Sequence, residues 1–224
     1  MARVLAAGIV ASMITGGAAL AANADFGLFN EGDIVSDFGF TDLGNGIIAN
    51  VTATGGTDQA VILDTLVSQP AHPVGDPDLE SPFTNPSDGN AQASFGNALL
   101  VQEDNNQAGT PNDNVGGTIL FEFAGIVDLT ELVFLDGEAN ETITITTNKG
   151  GLVVSAGQGD NTFTPIVFGG DEFKAISSLT VDISGSGAIG EFHATVVPLP
   201  ASVLLLLGGL GVFGWIGRRR MATA

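Results

Sequence analysis

Ile119-Leu120-Phe121-Glu122-Phe123 decides the fold class of this chain. A strand puts residues 119, 121 and 123 on one face, whereas a helix would scatter them around its circumference. The same period of two returns in Thr142-Ile143-Thr144-Ile145-Thr146 and in Leu179-Thr180-Val181-Asp182-Ile183-Ser184. Shorter strand-like runs fall at 47–54, 60–66, 98–102, 132–135, 152–155, 162–168 and 189–196. Asn148-Lys149-Gly150-Gly151 between two of them is a hairpin turn signal. No long amphipathic helix interrupts this pattern. About ten short strands with Gly, Asn and Asp between them predict an all-β domain, an antiparallel β-sandwich of jelly-roll-like form. Ile189 and Phe192 differ in parity, so burying both requires a bulge between them.

Two stretches break the alternation. Residues 69–94 carry Pro70, Pro73, Pro77, Pro82 and Pro86 among Asp, Asn and Ser, too many prolines for a central strand. A loop of about 25 residues is uncommon in a compact domain and is usually functional or loosely ordered. Residues 103–117 form the second break, rich in Asp, Asn and Gly.

The termini differ in kind from this middle. Arg3 is the only charge before Asp25, residues 4–20 are apolar or small, and Ala19-Leu20-Ala21 and Ala22-Asn23-Ala24 both offer small-x-small cleavage patterns. These features predict a secretory signal peptide over 1–24. At the other end, residues 202–216 are apolar and lead directly into Arg218-Arg219-Arg220. The roughly 18 residues from Leu199 to Ile216 would rise about 27 Å as a helix, enough for one membrane crossing. The arginines would hold that end in the cytoplasm, with Trp215 at the interface. The expected order is therefore a signal peptide (1–24), an acidic β-sandwich ectodomain (25–196) and a C-terminal segment (197–224) holding a single transmembrane helix.

Charge restricts the partners. All 25 acidic residues lie between Asp25 and Glu191, and only Lys149 and Lys174 oppose them there, leaving a net 23 negative charges. Such a field repels phosphate backbones, so nucleic acid is not an expected partner. The chain has no cysteine, so neither disulfides nor thiolate chemistry can support the exported part.

Three motif matches lack their structural context. Gly169-Gly170-Asp171-Glu172-Phe173 spells the diguanylate cyclase signature without that domain's helices. Gly185-Ser186-Gly187-Ala188-Ile189-Gly190 matches the dinucleotide fingerprint but leads into a strand, so it reads as a turn. His72 and His193 are the only imidazoles, and no strand-turn-helix elbow presents a serine to either. No catalytic residue is assigned, and the chain reads as non-enzymatic. Carbohydrate binding is the class alternative, since jelly-roll sandwiches often bind glycans. Against it, the exported part has no Trp or Tyr for stacking. A glycan-active enzyme would need two carboxylates converging in a cleft.

Calcium is the better-motivated ligand. It takes six to eight oxygens, often from loops. Glu103-Asp104, Asp136-Gly137-Glu138 and Gly159-Asp160 each put carboxylates at an expected strand end. Glu103, Asp104, Asp136, Glu138 and Asp160 are thus the candidate Ca2+ ligands, with ordinary Asp/Asn turns as the competing reading.

Val197-Pro198-Leu199-Pro200-Ala201, the apolar segment and the arginine cluster come in one order at one end. In this they resemble the PEP-CTERM class of exosortase substrates in its VPLPA variant. The common form has Pro-Glu-Pro, whereas here Leu199 stands between the prolines. The resemblance covers about 28 residues, and residues 96–192 are also similar, more loosely, to the glycine-rich β-sandwich ectodomains of that class. It implies export through the inner membrane of a Gram-negative cell, a membrane-anchored precursor, and processing at the motif by an exosortase-type enzyme. It further implies a mature form at the cell surface or in the extracellular matrix, with a structural or adhesive role among exopolysaccharides. Two prolines one residue apart stop the helix and favour extended backbone, the shape a processing enzyme can bind.

Overall fold

The computed structural model describes residues 21–24, 26–35, 47–66, 79–103, 111 and 115–197, which belong to one compact unit. The strands are β1 (Ala21–Ala24), β2 (Ile48–Thr54), β3 (Ala60–Asp64), β4 (Phe83–Asn85), β5 (Ala91–Ala93), β6 (Asn97–Val101), β7 (Gly117–Leu135), β8 (Thr142–Thr147), β9 (Leu152–Ala156), β10 (Phe163–Val167), β11 (Ile176–Ile183) and β12 (Ala188–Val196). Every ladder between these strands is antiparallel, with one isolated parallel bridge from Thr84 to Thr162, so the all-β expectation holds.

The first stretch of alternation turns out to be part of one long strand. Sequence reading placed separate strands at 119–123 and 132–135; β7 runs unbroken through both for 19 residues. It has four partners. Its first half pairs with β2 and β11, and its second half with β12 and β10. Ala124, Gly125 and Ile126, between the two halves, are exposed. The remaining strands extend outward from this spine in the order β3-β6-β12-β7-β11-β8-β9, with β1 on β12.

The apolar period accounts for the core. Ile119, Phe121 and Phe123 are buried with Ile143, Ile145, Leu179, Val181 and Ile183 from β8 and β11. Phe192, on β12 opposite Leu132, meets the rings of Phe121 at 5.3 Å and Phe123 at 6.1 Å, both edge to face. These contacts bring the first half of β7 and β12, a partner of its second half, into one core. The run Leu132-Val133-Phe134-Leu135 is buried on both sides, as continuous apolar strands are. Leu132 and Phe134 enter the main core, while Val133 and Leu135 enter a second, smaller one.

That second core corrects the reading of residues 69–94 as a loop. Leu79 and Phe83, the large apolar residues in the described half of that stretch, are buried against Val133, Leu135 and Leu100. Phe95 covers them, 5.9 Å from Phe83 and 5.3 Å from Phe163. Polar composition concealed a short β4–β5 hairpin, which forms its own two-stranded sheet and adds no strand to the main one. The expected bulge is present. Ile189 and Phe192 are both fully buried, and the β12–β7 register shifts between Ile189 and Glu191, leaving Gly190 as the extra residue. The turn at 148–151 joins β8 to β9, with Gly150 at φ +79° and its N–H donating to Thr147 O at 3.0 Å.

Among the described residues no helix is long and apolar enough to cross a membrane. The expected C-terminal helix, Pro198, Leu199, Pro200, Ala201 and Arg218 to Arg220 lie outside the described residues, as do His72 and Asp104. So do residues 1–20 of the expected signal peptide.

Because Phe192 locks the two halves together, Phe192→Ala is expected to lower unfolding free energy by about 3–5 kcal/mol. Urea denaturation followed by far-UV circular dichroism measures this.

Candidate functional site

The acidic loops come first, because the calcium expectation rests on them. The β7–β8 turn (136–141) and the β9–β10 turn (157–162) lie against each other: Gly159 N–H donates to Gly137 O and Gly157 N–H to Glu141 O, both at 3.0 Å. A Cβ on Gly157 would collide with the carbonyl of Gly137, so the approach requires glycine. Asp136, Glu138 and Asp160 thus share one end of the sheet. Glu103 does not join them, because it follows β6 beside the β2–β3 turn, where Gln102 O accepts from Thr57 N–H at 2.9 Å. From β2 to β8 is three strand spacings, roughly 14 Å at about 4.8 Å each.

Asp136 already has structural work. It is buried, adopts φ +56°, and its Oδ1 accepts from the N–H of Asn161, itself at φ +52°. Asp and Asn tolerate this left-handed conformation best among residues with a Cβ. Glu138 and Asp160 are exposed. Among the described residues no three His, Asp or Glu side chains are grouped to hold a metal ion.

The second cluster lies on β12. His193 is about one-third exposed, with Nδ1 3.6 Å from Glu131 Oε2 and Nε2 3.4 Å from Glu191 Oε1. Both are ion-pair distances longer than a good hydrogen bond, and Nε2 has no hydrogen-bond partner. Glu191 shares the face of His193 by parity, which the sequence shows. Glu131 arrives only through the β12–β7 register. Glu191 also lines a cavity of about 490 Å³ with Phe26, Ser94, Phe95, Gly96 and Asn97. Asn97 Nδ2 braces that wall by donating to Phe26 O at 3.1 Å and Phe29 O at 2.7 Å.

The motif matches resolve into local structure. Asp171–Phe173 is a 3-10 turn whose Phe173 is buried 4.6 Å from the ring of Phe168. Lys174 Nζ lies 2.8 Å from Asp171 Oδ1; this hydrogen bond, then the charge, holds the Asp171 carboxyl below its ordinary range. The pair is exposed and so contributes little to stability. Ser184 to Gly187 form the β11–β12 turn, and Gly190 is the bulge already described.

A third feature is a face of the main sheet, which sequence reading missed because it exists only in register. Leu152, Thr146, Thr180, Leu120 and Thr52 stand in one row across β9, β8, β11, β7 and β2. Val154, Thr144, Asp182, Thr118 and Thr54 stand in the next. These ten positions include one acid, Asp182, whose Oδ2 accepts from Thr118 Oγ1 at 2.6 Å. Rows lie about 6.8 Å apart and neighbours within a row about 4.8 Å.

At the C-terminal end β12 closes at Val196, and the N–H of Val197 donates to Ile126 O at 2.8 Å. The first residue of the Val-Pro-Leu-Pro-Ala motif is therefore pinned to the middle of β7. Ala21–Ala24 pair with residues 192–195 of the same strand. No protein-family model matches the chain, and no curated protein matches it.

Asp136→Ala removes a buried acceptor at a left-handed position and is expected to cost about 1–3 kcal/mol, equally in chelator and in calcium. Melting curves in millimolar calcium and in sodium of equal ionic strength separate this from ion binding. A bound ion at about 100 times Kd would add roughly 2.7 kcal/mol in calcium alone.

Proposed function

We propose that the chain is an exported surface or matrix protein, a β-sandwich processed at its C-terminal sorting signal, with an adhesive role among extracellular polysaccharides. The observation that carries the processing half is the junction at Val197. The sheet ends where the motif begins, so no linker intervenes between the folded domain and the segment to be cut. An enzyme that binds extended backbone can engage residues after Val197 without unpairing β12. The expected transmembrane helix and arginine cluster would hold that segment at the inner membrane until it is cut. The sandwich reading is supported by the Phe121–Phe192 and Phe123–Phe192 contacts, which join residues of the first half of β7 to β12 across a shared core.

Adhesion is supported by the threonine-lined face. In a domain of net charge −23, the two rows that carry only Asp182 give an uncharged polymer a hydroxyl surface with little acid on it. The second reading, a carbohydrate-binding module in the stricter sense, is favoured by the cavity, which offers the Glu191 carboxylate and the Phe95 ring. Calcium belongs to the proposal as a counter-ion for Glu138 and Asp160, tested by the melting series above.

Intact-mass analysis of material released from cells is expected to show a C-terminus after Val197 and before Arg218. A mature form that retains the arginine cluster would leave a plain membrane anchor instead. Pro198→Ala with Pro200→Ala is expected to keep the precursor in the membrane fraction.

Co-sedimentation with insoluble neutral glucan particles tests adhesion. Thr144→Glu with Thr180→Glu is expected to reduce retention about tenfold or more, since acids placed mid-face impose desolvation. Retention that survives these changes but is lost in Glu191→Gln or Phe95→Ala would move the binding to the cavity.

A further inference from the structure

The sheet's open edges are treated differently. β3 is covered: Val35 N–H donates to Ala60 O at 2.7 Å and Ile62 N–H to Asp33 O at 3.0 Å. β10 carries Pro165, which removes a donor from its edge. β2 is bulged, its register with β7 shifting between Ile48 and Asn50. Among the described residues β9 has none of these protections. Its sequence is Leu-Val-Val-Ser-Ala, without charge or proline, and among the described residues it pairs with β8 on one side only. Leu152 and Val154 are 61% and 58% exposed, side by side on one face. Folded proteins usually shield such an edge with lysine, proline, a bulge or a covering segment, because its free N–H and C=O groups accept another strand.

We infer that β9 is the docking edge for β9 of a second copy of this chain, paired antiparallel about Val154. In that register Val154 faces its own counterpart and Leu152 faces Ala156, giving one apolar stripe with both strands' backbone groups satisfied. Charge selects the antiparallel direction. One end of β9 adjoins Lys149 and Lys174, the only cations between Asp25 and Glu191, near Asp171 and Glu172. The other adjoins Glu138, Glu141 and Asp160, with no cation. Antiparallel pairing sets the balanced end of each copy against the acidic end of the other, whereas parallel pairing would set acid against acid. The pairing also joins the two threonine-lined faces into one of ten strands, doubling the surface assigned above to polymer contact. The pairing itself does not rest on that assignment.

A five-residue strand pair is a small interface, so the test traps it covalently. The chain has no cysteine, so a single introduced thiol reports one contact. The full-length protein in neutral detergent is oxidised as Val154→Cys and, for comparison, as Thr52→Cys on the equally outward face of β2. Opposed strand positions are within disulfide reach, so Val154→Cys is expected to give at least about fivefold more covalent dimer. Light scattering without oxidation is expected to show about a twofold fall in particle mass for Val154→Lys relative to wild type, because a lysine at the two-fold meets its own copy. Equal cross-linking at the two positions overturns the inference, as does a Val154→Lys particle with the wild-type mass. Both variants are at an exposed position outside the core, and polysaccharide retention is not the readout.

Discussion

The edge-to-face packing of Phe192 against Phe121 and Phe123 joins the first half of β7 to β12, a partner of its second half, across one core. β7 is a spine with different neighbours on each half, and Ala124, Gly125 and Ile126 between the halves are exposed. The halves stay together only if something apolar fills the space between them. With no disulfide available, aromatic and branched side chains must supply that adhesion. Ile143, Ile145, Leu179, Val181 and Ile183 join Leu132, Phe134 and Ile189 in one buried cluster. Near-perpendicular rings add a directional component to simple burial.

The acidic residues are compatible with this core because most of them stay out of it. Asp136 is the exception among the described residues, and it is buried with a backbone N–H against its carboxylate. Two turns meet there, and the glycine contact at 137 and 157 lets them meet closely. The same end of the sheet thus combines a structural acid with exposed ones. Two carboxylates close in sequence turn out to have different roles: Asp136 sets a turn, while Glu138 remains available to solvent and ions.

The two faces of the main sheet show how register creates a surface. Threonine, leucine and valine on β9, β8, β11, β7 and β2 alternate with buried residues, so each strand contributes its outward set to common rows. β-branched hydroxyl residues satisfy strand propensity and solvation together. The resulting face has little charge in a domain dominated by acids, and it ends at an uncharged strand edge. Surface and edge meet at Leu152 and Val154, so one short strand bears on both polymer contact and self-association.

Sequence alone determined the class of this protein, because a period of two in apolar residues has a single low-energy solution, the half-buried strand. It also located the bulge at Gly190, since parity between Ile189 and Phe192 can be reconciled only by an extra residue, and the hairpin at Gly150. The terminal segments are likewise legible as composition. Tertiary structure alone decided what lies side by side. That 119–123 and 132–135 are one strand depends on pairing through Ala124 to Thr130, where the local pattern is weak. That Leu79 and Phe83 are core depends on a second apolar face of β7, invisible within a polar stretch. Glu131 beside His193, the separation of Glu103 from Asp136 and the threonine rows all follow from strand register, which links residues far apart in the chain. Periodicity is a local property and can be read directly; adjacency between strands is non-local and appears only once the core has chosen the pairing.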